Sequence, residues 1–95
     1  MMYLKELGFD EDIINLICKN IPSLAINQLK ENKETVTANI NNLKELGVTN
    51  YTDAFVKFYN MFLIDTKTFD DIFSKYDRED LVAKLEKNVA IMEYL

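Results

Sequence analysis

The chain has 95 residues, 48% of them hydrophobic and 28% charged, with a formal net charge of −5. This is the length of one domain able to bury roughly two-thirds of its unfolded surface, and the composition is that of a globular and not a disordered chain. Residues 1–48 hold five Lys against seven Asp/Glu and residues 49–95 hold six Lys/Arg against nine Asp/Glu, so no basic half or tail exists to draw the chain onto nucleic acid or an anionic membrane.

Gly8, Gly47 and Pro22 are the only glycines and proline, too few turn residues for an all-β domain, and helical spacing recurs throughout. A first short helix carries Leu4 and Leu7 and stops at Gly8, with Phe9 folding back onto it. Asp10 caps a second helix, Glu11 and Asp12 lie in its first turn, and Ile13, Ile14, Ile17, Cys18 and Ile21 form its apolar face. Pro22 opens a third helix with Leu24, Ala25 and Leu29, ending near Asn32. A fourth runs from about Glu34 to Leu46 on Val36, Ile40, Leu43 and Leu46 and ends at Gly47. Thr49 or Asn50 caps a fifth, whose face is Ala54, Phe55, Phe58, Tyr59 and Phe62. Asp65 or Thr66 caps a sixth, with Phe69, Ile72, Phe73 and Tyr76. Asp77 caps a seventh, with Leu81, Val82 and Leu85, and after a break at Asn88 the stretch from Val89 to Leu95 closes the chain. Tight turns between short helices imply antiparallel neighbours.

The sequence repeats itself. Leu4-Lys5-Glu6-Leu7-Gly8 recurs as Leu43-Lys44-Glu45-Leu46-Gly47, each followed by an apolar residue, a polar cap and an amphipathic helix. Ile13, Ile14, Ile17, Cys18 and Ile21 correspond to Ala54, Phe55, Phe58, Tyr59 and Phe62. A degenerate third copy starts at Asp77-Arg78-Glu79-Asp80, where Leu81, Val82 and Leu85 repeat the spacing of Ile13, Ile14 and Ile17, and it lacks the glycine. The pattern of a leucine-x-x-leucine-glycine turn, a polar cap, paired apolar residues and Pro22-Ser23-Leu24 resembles the helical repeat of the mitochondrial transcription termination factor (mTERF) family. The resemblance spans about two and a half units, approximately residues 2–33, 34–68 and 69–95, within one domain covering 1–95. Phe62 and Ala90 stand near where the family's proline falls in the later units. The resemblance implies an all-α fold of short helices in mTERF-like repeats, forming a compact stack or a short solenoid. It also implies double-stranded DNA or RNA binding along a basic concave face, although this chain is acidic.

Little here reads as catalytic machinery. Histidine, the commonest general base and metal ligand, is absent. Cys18, the single cysteine, cannot form an internal disulfide or a Cys–His pair and reads as a core side chain. The clusters Asp10-Glu11-Asp12, Asp70-Asp71 and Asp77 with Glu79-Asp80 lack the alternation and central glycine of a calcium loop, and the first and third sit where helices begin. The aromatics from Phe55 to Tyr76 follow buried-face spacing and not that of a base-stacking platform. Lys5 and Lys44 are equivalent in the repeat, and with Lys19, Lys57 and Lys84 they form the surface that nucleic-acid binding would use. Otherwise they are solvated and paired with Glu6, Glu45, Asp53 and Asp80.

The reading is therefore a non-enzymatic helical-repeat domain without cofactor or metal, acting as a protein-interaction module or self-associating, with nucleic-acid binding as the alternative. Met1, Met2, Tyr3 and Leu4 at one end and Ile91, Met92, Tyr94 and Leu95 at the other either fold back onto the core or leave apolar surface for a partner. The single cysteine, the lack of a signal-peptide run and the lack of a membrane-length apolar segment suggest a cytoplasmic protein. Abundant Lys and Asn beside a single Arg suggest an AT-rich bacterial genome.

Overall fold

Aspartates start three of the helices and glycines end two. Asp10 accepts from the Ile13 N–H at 2.9 Å, Asp65 from the Thr68 N–H at 3.1 Å and Asp77 from the Asp80 N–H at 3.2 Å, each satisfying a donor that the first turn leaves without a partner. The Asp65 carboxyl is held below its ordinary value by hydrogen bonds from the Thr68 hydroxyl and N–H. Gly8 and Gly47 take φ of 101° and 100°, the left-handed conformation that L side chains resist. The two repeat copies close with the same pair of bonds. Phe9 N–H reaches Leu4 O at 3.1 Å and Gly8 N–H reaches Lys5 O at 3.2 Å; Val48 N–H reaches Leu43 O at 3.2 Å and Gly47 N–H reaches Lys44 O at 3.1 Å. These are Schellman caps, with Phe9 and Val48 buried beside Leu4 and Leu43.

The computed structural model describes residues 3–95. They form α1 (Tyr3–Glu6), α2 (Glu11–Asn20), α3 (Ser23–Glu31), α4 (Lys33–Leu46), α5 (Tyr51–Phe58), a first 3₁₀ segment (Tyr59–Leu63), α6 (Thr66–Ser74), α7 (Arg78–Lys87) and a second 3₁₀ segment (Val89–Tyr94), with no strand among the described residues. α4 lies at the centre, packed on α3, α5, α6 and the first 3₁₀ segment, while the second 3₁₀ segment packs on α5 and α7. The radius of gyration is 12.7 Å, close to the roughly 12 Å of a compact chain this long. The fold is thus a closed globule and not an extended solenoid.

An aromatic chain runs through the core, edge-to-face at first and tilted further along. Phe9, Phe55, Phe62, Phe69 and Phe73 are all buried, and successive ring centroids lie 5.3, 5.1, 5.6 and 4.7 Å apart, within the range where aromatic pairs gain beyond their buried area. Tyr3 ties α1 to α3 through its hydroxyl, which donates to the buried Leu29 carbonyl at 2.8 Å. Burial pushes this phenol up to about 12, from an ordinary value near 10. Above pH ~10 the unfolded chain releases the proton first, so the folded state holds more protons and stability falls as pH rises toward 12. Tyr3→Phe is expected to cost about 1 kcal/mol at pH 7 and to flatten that alkaline decline in urea titrations. Parallel declines for the two proteins would show that Tyr3 is not held neutral by the fold.

Several expectations are corrected. Cys18 is exposed, because α2 lies at the edge with α1 as its main neighbour and only a narrow stripe, Ile13, Ile14, Ile17 and Ile21, is covered. Leu24 is exposed for the same reason on α3. The fifth helix does not run through Phe62; it breaks at Phe58 (φ −131°, ψ 42°) and tightens into the 3₁₀ segment. Asn50 holds the N-cap position of α5, as expected, but its side chain makes no capping bond, and nor does that of Thr49. They reach across to α7 instead, Asn50 Nδ2 donating to Leu85 O at 2.9 Å and Thr49 Oγ1 bonding Glu86 Oε1 at 3.1 Å. At the chain ends, Tyr3, Leu4, Val89 and Met92 are buried and Tyr94 is exposed; Met1 and Met2 lie outside the described residues.

Candidate functional site

Helix C-termini account for the lysines first. Lys5, Lys19, Lys44, Lys57 and Lys84 each occupy the last turn of a helix, where a cation offsets the negative end of the helix dipole. Lys5 pairs with Glu11 at 3.0 Å, and not with Glu6; Lys84 pairs with Asp80 at 3.0 Å. Both pairs are more than half exposed and worth little individually. Lys44 donates to the Leu7 carbonyl at 3.0 Å, and not to Glu45, with its ammonium 5.3 Å from the Tyr51 ring centroid. Lys19 and Lys57 are exposed.

The repeat turns these cations into joints. Leu7 and Leu46 are equivalent, and each presents a carbonyl at a helix end. Leu7 O receives Lys44 Nζ at 3.0 Å and the Tyr51 hydroxyl at 3.2 Å. Leu46 O receives Arg78 Nε at 3.2 Å, and Arg78 Nη2 bonds Glu45 O at 2.6 Å. The C-terminal ends of α1 and α4 are therefore each closed by a cation from further along the chain, which satisfies carbonyls left without intrahelical donors. Lys44→Met is expected to cost about 1 kcal/mol, whereas Lys19→Met stays within about 0.5 kcal/mol. Equal thermal denaturation of the two variants would remove Lys44 from this joint.

Hollows mark the surface of the described residues. Two of about 320 Å³ lie over Lys5, Glu11, Ile14 and Asn15 and over residues 31–35. Both are open and bordered mainly by exposed polar side chains, which gives a ligand few walls. The third, about 180 Å³, is more apolar and lies between α7 and the second 3₁₀ segment. Leu81 forms its buried floor, Ile91 and Leu95 are half-buried walls, and Tyr76 and Tyr94 stand at its edge, 43% and 81% exposed. Asp77, Asp80 and Lys84 complete the rim. Tyr76 was expected on the buried face of α6. The helix ends at Ser74, so the spacing that buries Phe69 and Phe73 no longer applies two residues later, and the ring turns outward.

No protein-family model, curated protein or solved structure matches the chain. Among the described residues no group of three or more His, Cys, Asp or Glu side chains is placed to hold a metal ion, and no helix is long and apolar enough to cross a membrane. The apolar cleft beside α7 is the most developed candidate site. Sequence reasoning had named its parts separately, Tyr76 as core and Tyr94 with Leu95 as an apolar end, without bringing them together.

Proposed function

We propose that this chain is a non-enzymatic protein-interaction module that binds its partner through the cleft between α7 and the second 3₁₀ segment. One observation carries the reading: of the four large hydrophobic side chains left exposed among the described residues, two, Tyr76 and Tyr94, border the same apolar hollow. Tyrosine supplies a large amphipathic contact area with few rotatable bonds and is enriched where partners dock. Peptide selection by display on the immobilised protein tests it. Selected peptides are expected to lose at least tenfold in affinity on a Tyr76→Ser/Tyr94→Ser variant that keeps its helical circular dichroism. Undiminished binding to that variant would remove the cleft from the interaction, and failure to enrich any peptide would count against the module itself.

A second reading, mTERF-like repeats binding double-stranded nucleic acid, is supported by the matching Schellman caps and by the cation joints at equivalent carbonyls. It is weakened by the local commitments of Lys5, Lys44 and Lys84. Anisotropy titrations with random duplex DNA separate the readings. Phosphate contact gives a log–log salt slope of about −0.9 per neutralised phosphate, and Lys19→Ala and Lys57→Ala would each flatten it by about one contact.

A further inference from the structure

We infer that the cleft takes a single apolar anchor side chain from a short peptide segment in which that anchor is flanked by Lys or Arg. This rests on the interaction-module reading above and names its ligand. Size comes first. At about 180 Å³ the hollow is smaller than the roughly 300–1,000 Å³ of pockets for whole small molecules, and close to the 150 Å³ scale at which an apolar cavity holds one benzene-sized group. One leucine- or phenylalanine-sized side chain fits that space, with Leu81 beneath it and Ile91, Leu95 and the two tyrosine rings around it.

Charge decides what lies beside the anchor. The rim carries Asp77, Asp80 and Lys84. Lys84 is committed to Asp80 at 3.0 Å, and Asp77 Oδ2 accepts from the Asp80 N–H, which leaves one carboxylate in excess on the rim of a chain of net charge −5. Flanking cations in the ligand meet the Asp77 carboxylate favourably, and flanking carboxylates are repelled by it. The same argument disfavours a second copy of this chain as the occupant, since it would bring its own −5 to the acidic rim.

The test is amide and methyl chemical-shift mapping with two blocked pentapeptides, Gly-Lys-Leu-Lys-Gly and Gly-Glu-Leu-Glu-Gly, at low ionic strength, after spectra of the free protein are compared across a range of concentrations. The Lys-flanked peptide is expected to shift Leu81, Ile91 and Leu95 saturably and to bind at least fivefold tighter than the Glu-flanked one. That preference should shrink in 0.5 M salt and in Asp77→Asn, which keeps a competent helix cap while losing the charge. Equal binding of both peptides at the cleft overturns the charge preference and leaves the interaction site standing. Shifts elsewhere, or none at millimolar peptide, overturn both. Concentration-dependent shifts of the same residues in the free protein would assign the cleft to a second copy and overturn the peptide ligand.

Discussion

Asn39→Leu is expected to destabilise the chain by about 2–3 kcal/mol and, at ~4–8 °C per kcal/mol for a domain this size, to lower its melting temperature by about 10–20 °C. Asn39 is the buried polar residue of the core. From α4 its Nδ2 donates to Phe62 O at 2.9 Å and to Ile64 O at 2.7 Å, fastening the end of the first 3₁₀ segment against the central helix. The amide orientation is set by the partners, because two carbonyls can only face the nitrogen. Leucine has the same branched outline, is larger and has no donor, so both carbonyls lose this partner in a site with little water. Part of that cost is offset, since Asn39 Oδ1 is itself buried without a hydrogen bond and its burial is already unfavourable. Asn39→Asp sharpens the test. At pH 7 a carboxylate facing two carbonyls is worse than leucine, and as pH falls the protonated carboxyl regains one donor, so stability recovers toward acid. If the aspartate variant matched the wild type at pH 7 in urea titrations, Asn39 would not be donating to these carbonyls.

Asn39 also marks the limit of what the sequence made legible. The helix starts at Asp10, Asp65 and Asp77 and the stops at Gly8 and Gly47 were readable because each is decided within four or five residues by backbone groups that need a partner. The buried faces of α4, α5 and α6 were readable as far as each helix ran, because α4 and α5 are enclosed by several neighbours. Asn39 stands three residues after Val36 and four before Leu43, so helical spacing puts it on the buried face while its polar side chain argues for solvent. Its acceptors are carbonyls 23 and 25 residues away, which no local pattern encodes. Thr49 and Asn50 show the same override in reverse, residues suited to a local cap that are drawn instead to the end of α7. Cys18 and Leu24 were misplaced because spacing gives the direction of an apolar stripe but not its width, which depends on how many elements cover it.

The cleft was the least legible feature, for a related reason. Its lining comes from positions 76–95, where one helix has ended, another has begun and the chain then tightens into a 3₁₀ turn. Periodicity carried past Ser74 places Tyr76 in the core. The available signal was the place of Tyr76 just before the Asp77 cap, where an apolar side chain belongs with the fourth residue of the following helix, Leu81, and not with the helix it leaves; both line the cleft. The lysines were legible in position but not in role. Repeat equivalence grouped Lys5 with Lys44, whereas only Lys44 finds a carbonyl of another unit within reach.

Gly8→Ala is expected to cost about 2–4 kcal/mol, against about 1–2 kcal/mol for the repeat-equivalent Gly47→Ala, and the difference is the content of the prediction. Both glycines hold φ near 100°, so both substitutions carry the same left-handed strain. Their surroundings differ. A methyl at Gly47 meets nothing within 4 Å, whereas a methyl at Gly8 falls on the hydroxyl of Tyr51. That ring has little freedom to retreat, with Phe9 edge-on at 5.8 Å, Lys44 over its face at 5.3 Å and its hydroxyl bonded to Leu7 O at 3.2 Å. Displacing it loosens the joint between the first two repeat units. Tyr51→Phe removes the colliding oxygen, so in that background Gly8→Ala should cost no more than Gly47→Ala, a coupling of about 1–2 kcal/mol in a double-mutant cycle, while Gly47→Ala and Tyr51→Phe remain additive. Equal costs for the two glycine substitutions in wild-type background would mean that the copies meet at their caps without the close seat of Tyr51, and that the joint rests on Lys44 alone.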